Sequence, residues 1–388
     1  MNEALGLRLL SSLMGWEDDV AQDEFSWLRL MARLKYDGYR DFQAGVGFIE
    51  SLISWLQQFE PSDRSAAYNF VKSRLVYISP GEKQRLVEQL YPSVIHKRLV
   101  GLVARKLEIS TYQVLAAPEA QKELNNLRRK SLIMGLSDGA RLDIVRHVNV
   151  GRLSNEQIAP TTQIDSGKWA DLLEELQDEL KDKTAAFECI FLIDDFTASG
   201  SSFLRKDQTS GEWKGKLKRF YESIKDAQSV YTGPSKAKAQ KLFTDKWHLT
   251  IHHYISSKKA DDAIKENVAN AKTVFADLPW AETTEIGCIE LLPDELCLTK
   301  KRDPDFVALT QKYYCDRIET KHTLKGGVKH LGLGYAGCAL PVVLEHNTPN
   351  NSAALIWAET PPENKDDSEA HAMRPLFRRR QRHIEGTG

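Results

Sequence analysis

Glu188-Cys-Ile-Phe-Leu-Ile-Asp-Asp-Phe-Thr-Ala-Ser-Gly-Ser-Ser202 is the stretch from which the fold is read. Its short apolar run, bounded by polar residues, has the pattern of a strand buried on both faces. The run ends in two carboxylates, Asp194 and Asp195. A turn of small residues follows, Thr197, Ala198, Ser199, Gly200, Ser201 and Ser202, and then a segment able to start a helix. This order places polar groups at the carboxyl end of a strand, where open α/β sheets bind their ligands.

The chemistry of the turn follows from its residue types. Free N–H groups at a helix start carry partial positive charge and form a cradle for an anion. Gly200 can take positive φ and admits a phosphate closely, because no Cβ intervenes. The four hydroxyls add donors, each charge-assisted bond contributing on the order of 1.5–3 kcal/mol. Two carboxylates beside a phosphate would repel it, so Asp194 and Asp195 are expected to face hydroxyls or a divalent cation. A ribose 5-phosphate satisfies both ends, with its phosphate in the turn and its 2′- and 3′-hydroxyls on the acids. An ordinary strand–turn–helix with a polar cap also suits the same residues.

Ile193-Asp-Asp-Phe-Thr-Ala-Ser-Gly-Ser-Ser202 resembles the phosphoribosyl-pyrophosphate (PRPP) motif of type I phosphoribosyltransferases. That motif is an apolar strand, two acids, three variable residues, Thr-Gly, one variable residue and Thr. Ser199 and Ser202 stand here where threonine is usual. Other acid-bearing motifs are excluded. Phe196 occupies the place of the second acid of a haloacid dehalogenase, no His-Arg-Asp loop accompanies the Asp-Phe pair as in a kinase, and there is no Walker loop.

Composition bounds the rest. The 388 residues suffice for two domains with real cores. A formal net charge of −1 provides no global field to recruit nucleic acid or anionic membrane. The five cysteines are scattered without a Cys-x-x-Cys pair, which argues against structural zinc and a disulfide framework. No apolar run approaches the length of a membrane span. A soluble, cytoplasmic protein is expected, without membrane contact.

Along the chain, residues 1–115 read as a helical domain, with Phe25, Leu28, Met31 and Leu34 at helical spacing and Pro61, Pro80 and Pro92 as breaks. Residues 116–360 read as the α/β domain and 361–388 as a charged tail. Ser131–Met134 is a second apolar run, followed by the turn Leu136-Ser137-Asp138-Gly139 and a helix from Arg141 to about His147. Ser137 or Asp138 can simply cap that helix. Residues 153–168 are polar and poorly periodic. Lys206–Lys218 is basic and suits either a solvated face or a loop that screens phosphate. His248, His252 and His253 lie on a strand over 247–255, the first two on one face; core or surface positions suit them better than a metal site. Gly332-Leu-Gly-Tyr-Ala-Gly337 matches the dinucleotide fingerprint in letters but precedes a strand, so it is not one. Beyond that strand, His346-Asn347-Thr-Pro-Asn350-Asn-Ser352 suits either base or pyrophosphate recognition or a proline-anchored turn.

Leu136-Ser-Asp-Gly-Ala-Arg-Leu-Asp143, Asn155-Glu-Gln157 and the Asn347-Thr-Pro-Asn-Asn351 piece resemble one subgroup, the phosphoribosyltransferase-like domains of prokaryotic conflict (antiphage) systems. The resemblance covers roughly 120–360. It implies a mainly parallel sheet flanked by helices, which the all-α domain read from the spacing of 1–115 would precede. It also implies a pyrophosphate loop at Ser137, Asp138 and Gly139, with Arg141 near phosphate and Asn347 and Asn350 near the base or pyrophosphate. Asp194 and Asp195 would hold the ribose and 197–202 the 5′-phosphate. Mg²⁺ would arrive on the substrate rather than in a protein cage. The partners implied are a phosphoribosyl or nucleotide ligand and a defence-system component such as a reverse transcriptase with its DNA; direct nucleic-acid binding is not expected. A non-catalytic nucleotide sensor and an interaction scaffold are the alternatives to an enzyme.

Overall fold

A computed structural model describes residues 3–42, 45–207, 210–226, 229–232, 238–275, 278–320, 323–360 and 372–380. The side chains of 3, 226, 229–232, 238–240 and 324 lie outside that description. Two compact units emerge, one made of Met1–Lys83 with Pro293–Gly388, the other of Gln84–Leu292. These boundaries differ from the expected division at 115 and 360.

In the first unit the two ends of the chain share one core. Helices Glu3–Met14, Asp18–Leu34, Phe48–Leu56 and Pro61–Ser73 pack with Pro304–Lys312. Strand Val76–Ile78 pairs in parallel with Val342–Leu344, so the strand expected in the 338–344 run belongs here rather than to the main sheet. Phe70 stacks on Phe306 with ring centroids 3.6 Å apart, and Trp55 Nε1 donates to the Leu355 carbonyl at 2.7 Å. Part of the expected charged tail is core. Met373, Leu376 and Phe377 are buried, and the Phe377 ring stacks against Phe42 and Phe48. Burying three apolar side chains outweighs the charge pattern around them. The remainder of the tail call, 361–371 and 381–388, lies outside the described residues.

The second unit is built on a five-stranded parallel sheet. Its strands are β1 (Ser131–Gly135), β2 (Ile158–Ala159), β3 (Phe187–Thr197), β4 (Phe243–Ser257) and β5 (Thr283–Leu292). Their spatial order is β5-β4-β3-β1-β2, every pair parallel. Parallel sheets are covered on both faces, and Leu132–Met134 and Ile190–Ile193 are accordingly fully buried. Helices Ser166–Leu180, Lys216–Asp226 and Lys258–Val274 supply Trp169, Leu173, Leu217, Phe220 and Ile264 to the core. The stretch 153–168, polar and poorly periodic in sequence, contains β2, which extends the sheet by one short edge strand. Pro92 does not end its helix; the chain widens through a π-helical stretch, Leu90–His96, and continues as Lys97–Leu107. The mixed α/β architecture with a flanked parallel sheet, preceded by a helical region, is the expected one.

Candidate functional site

The strand order determines where a crevice opens. After β1 the chain crosses to β2 on one side, then returns to β3 on the other. Helices on the two crossovers lie on either side, and the carboxyl ends of β1 and β3 flank the gap that results. The residues at those two carboxyl ends are 136–140, just past β1, and 194–202, the last of β3 and the turn beyond it. Thus the turn after Gly135 and the acid pair meet at the topological switch point.

The contacts are specific. Leu136 N donates to the Ile193 carbonyl at 2.8 Å, the last rung joining β1 to β3. Beyond it β3 runs on to Thr197, paired only with β4. The acids therefore lie inside a strand rather than just past its end, and consecutive side chains take opposite faces. Asp194 shares its face with His253, its register partner. Its Oδ1 accepts from the Ser137 hydroxyl and its Oδ2 pairs with Lys216 Nζ. Asp195 N also donates to Oδ1, at 3.2 Å. Only 3% of Asp194 is exposed. The expectation that Asp194 faces a ribose hydroxyl is thereby altered, because both of its oxygens are engaged within the protein.

Asp195 takes the other face and is half-buried. Its carboxylate lies directly over Gly139, where a Cβ would collide with both oxygens. Gly139 is thus required by the acid itself. The loop bearing it is tied down from β4, for the Tyr254 hydroxyl donates to the Ala140 carbonyl at 2.8 Å. Burial first, and then the charge of Asp195, raise the Tyr254 pKa. Asp138 at the loop tip is exposed.

The hydroxyl-rich turn is held differently from the expectation. No helix starts after Ser202. The chain makes a hairpin, Arg205–Lys206 against Trp213–Lys214, and the helix begins at Lys216. Lys216 N donates to the Ser202 carbonyl at 3.2 Å and Leu217 N to the Phe203 carbonyl at 3.1 Å, so the turn and the helix are spliced across an inserted hairpin. Carbonyls thus meet these first N–H groups, and the anion cradle expected at residue 202 is not formed by a helix terminus there. Gly200 does have φ +70°, but its open side faces the helix Lys258–Val274, where an added Cβ would lie 3.0 Å from Ile264 Cγ1 and 3.3 Å from the Ala260 carbonyl. Ser199 and Ser201 hydroxyls are 2.9 Å apart, and the Ser201 carbonyl accepts from Arg205 Nη1 at 2.8 Å. Thr197 and Ala198 are buried, while Ser202 is exposed. Ser257 Oγ donates to the Ala198 carbonyl at 2.6 Å and accepts from Ala260 N at 3.0 Å, joining the turn to the next helix.

Other candidates have local roles. Arg141 adopts φ +48° and pairs with Asp143, holding that carboxyl below its usual range. Arg146 Nη2 donates to the Ile158 carbonyl at 3.1 Å, fastening β2. Asn347 and Asn350 belong to the other compact unit. There Asn347 closes a turn through paired backbone bonds with Leu344 and accepts from Arg380 N at 3.1 Å on Oδ1; the Asn350 carbonyl accepts from Tyr335 N at 2.7 Å. These are the contacts of a proline-anchored turn. His252 and His253 are buried, and the Nε2 atoms of both lack a hydrogen-bond partner. Burial drives the His252 pKa down to about 3 and lowers that of His253, against the opposing pull of Asp194. Among the described residues no three His, Cys, Asp or Glu side chains converge as metal ligands.

Sequence reasoning missed Lys216, Tyr254 and Ser257. Lys216 lay in the basic stretch whose solvated and phosphate-screening readings were both open; its amino group instead meets Asp194, with 21% of the side chain exposed.

No curated protein and no solved structure matches this chain. The model of one family, PRTase-CE, a phosphoribosyltransferase-like domain, matches residues 52–379. With both strand ends of the switch point inside that span, this chain belongs to the PRTase-CE family of phosphoribosyltransferase-like proteins.

Proposed function

We propose that the carboxyl ends of β1 and β3 bind a 5-phosphorylated ribose, as PRPP or a nucleotide, and act at its anomeric carbon. The supporting observation is the meeting of the 137–139 loop with the acid pair, through Ser137 on Asp194 and Gly139 under Asp195. Asp195, half-buried on the opposite face of the strand, is the acid assigned to the ribose hydroxyls. Asp194 is a positioning residue that orients Ser137 and Lys216. Lys216 offsets one of two adjacent negative charges, which removes much of the repulsion that an incoming phosphate would meet.

Loss of pyrophosphate or of a base from C1 leaves an oxocarbenium-like centre, and no protein nucleophile is then required. The chain supplies orientation and fixed charge. With a ribose bound there, the half-buried Asp195 carboxylate would favour the cationic centre by its charge. Backbone N–H groups of 137–139 receive the departing pyrophosphate. Mg²⁺ enters as the counter-ion of that pyrophosphate, held by its oxygens and by water, and so counts as part of the substrate.

The test is incubation of the full chain with PRPP, Mg²⁺ and cellular nucleotides, with products read by mass spectrometry. A ribosylated or base-free product with the wild type, absent with Asp195→Asn, is the expected result. Equal turnover by both chains removes Asp195 from the site. A second reading, a nucleotide sensor without turnover, is favoured by the engagement of Asp194 with Lys216 and Ser137 before any ligand arrives. Saturable PRPP binding without product selects it. The resemblance over 120–360 to domains of antiphage systems extends the proposal to a defence role in the cytoplasm beside a protein or reverse transcriptase–DNA partner. Loss of protection against phage with Asp195→Asn, at unchanged protein level, is the corresponding cellular outcome.

A further inference from the structure

A cleft of roughly 780 Å³ opens at the opposite, amino-terminal end of the same sheet. Helix Pro118–Arg129 runs into the first residue of β1 there, the 3₁₀ turn Asn155–Gln157 leads into β2, and helix Ser166–Leu180 comes to its end. The first helix presents Lys122, Asn125, Asn126 and Arg129 to the cleft, positions that share one face of a helix. Arg128 and Arg152 complete the lining cations, against which Glu179 is the one carboxylate in the lining.

Two features mark this as a built site rather than a solvated basic surface. The Arg129 side chain is only 9% exposed, with Nε paired to Glu179, yet its Nη2 is buried without a hydrogen-bond partner. A guanidinium N–H held in the interior without an acceptor is costly, and Arg129, which lines the cleft, stands to gain from an oxyanion seated against its guanidinium. The floor is also rigid. Gln157 Nε2 donates to the Arg128 carbonyl at 2.6 Å and to the Ser131 carbonyl at 3.0 Å, so the helix end is closed by an amide instead of by the cations. Their field reaches neighbouring groups, since His96 is held below its ordinary pKa by burial first and then by Arg128 and Arg152.

We propose that this cleft is a second ligand site, taking the phosphates of a nucleotide, with Arg129 as the buried anchor and Lys122 and Arg152 at the rim. Its volume is that of a small-molecule site. The side-chain amides of Asn125 and Asn126 offer donors and acceptors for a base edge. The site lies at the other end of the strands from Asp195 and does not depend on the function proposed for that end.

The test uses the full chain carrying Asp195→Asn, so that failure at the carboxyl end cannot be mistaken for failure here. ATP, inorganic phosphate and a short single-stranded oligonucleotide are titrated calorimetrically. ATP is expected to bind and to weaken as salt rises. The exposed-rim variant Lys122→Glu/Arg152→Glu should bind about a hundredfold more weakly, two charge-assisted contacts being lost. Arg129→Lys, which keeps the charge beside Glu179 but loses the fork, should weaken binding about tenfold. Phosphate binding well below that of ATP would support recognition of the base as well. Equal ATP binding by the parent and the rim variant overturns the proposal. So does tighter binding of the oligonucleotide than of ATP, which would make the cleft a nucleic-acid surface.

Discussion

The two ends of the parallel sheet are built on opposite electrostatic plans. At the carboxyl end, two adjacent acids are separated by the strand pleat, one neutralised internally by Lys216 and the other laid over a glycine. At the amino end, four cations line a cleft and one of them keeps a buried donor without a partner. The difference teaches that charge by itself does not mark a ligand site. What matters is whether the fold has already answered that charge. Asp194 is answered before any ligand arrives, whereas Arg129 is answered only in part.

The contrast can be broken most forcefully at Lys216. Lys216→Met leaves Asp194 buried and unpaired, and is expected to lower stability by about 3 kcal/mol in denaturant unfolding. Adding Asp194→Leu should recover much of that loss, because removing both charges of a buried pair is often near neutral. No recovery would mean that the pair is not coupled. For the same reason Asp194→Asn would disturb the pair with Lys216, and Asp195→Asn is the cleaner probe of chemistry.

Gly139→Ala comes next. Its Cβ would enter the Asp195 carboxylate, and overpacking of this kind costs about 1–3 kcal/mol. Thermal unfolding should report that cost, with any ribose-phosphate binding lost at the same time. Tyr254→Phe removes one buried hydrogen bond to Ala140, worth about 1 kcal/mol. Its effect should appear as faster amide exchange in the 137–141 loop.

Near neutral pH the smallest effect is that of His252, and it grows as acid is added. His252 is kept neutral, its pKa depressed from 6.5 to about 3 by burial and then by His253. The unfolded chain binds the extra proton first, so this stability is fully present above about pH 6.5 and is lost as pH falls toward 3. The slope from this one group is at most about 1.4 kcal/mol per pH unit. His252→Asn should flatten the stability profile between those limits. An unchanged profile would show that His252 takes up its proton equally readily in the folded and the unfolded chain.

Much of this was legible in the chain itself. The run 189–193 is apolar without interruption, and such a run has few ways to satisfy its backbone except as an inner strand. The second run, 131–134, and the turn after it had the same form, and both strands formed where expected. The helix expected directly after Ser202 was displaced to Lys216, because a hairpin of some ten residues lies between the turn and the segment that continues its hydrogen bonding. Local composition cannot reveal that splice, since both the hairpin and the helix are basic and polar.

From its residues alone the chain determined the buried strand, the acid pair at the end of its apolar run and the small residues that turn beyond it, for these depend on periodicity and backbone freedom over a few positions. Only the tertiary structure decided that Asp194 is paired with Lys216, that Gly139 lies beneath Asp195, and that Phe377 near one end of the chain shares a core with Phe48 near the other. Each of these depends on which distant segments are brought together, and burial free energy summed over whole surfaces makes that choice, not the preference of any short stretch.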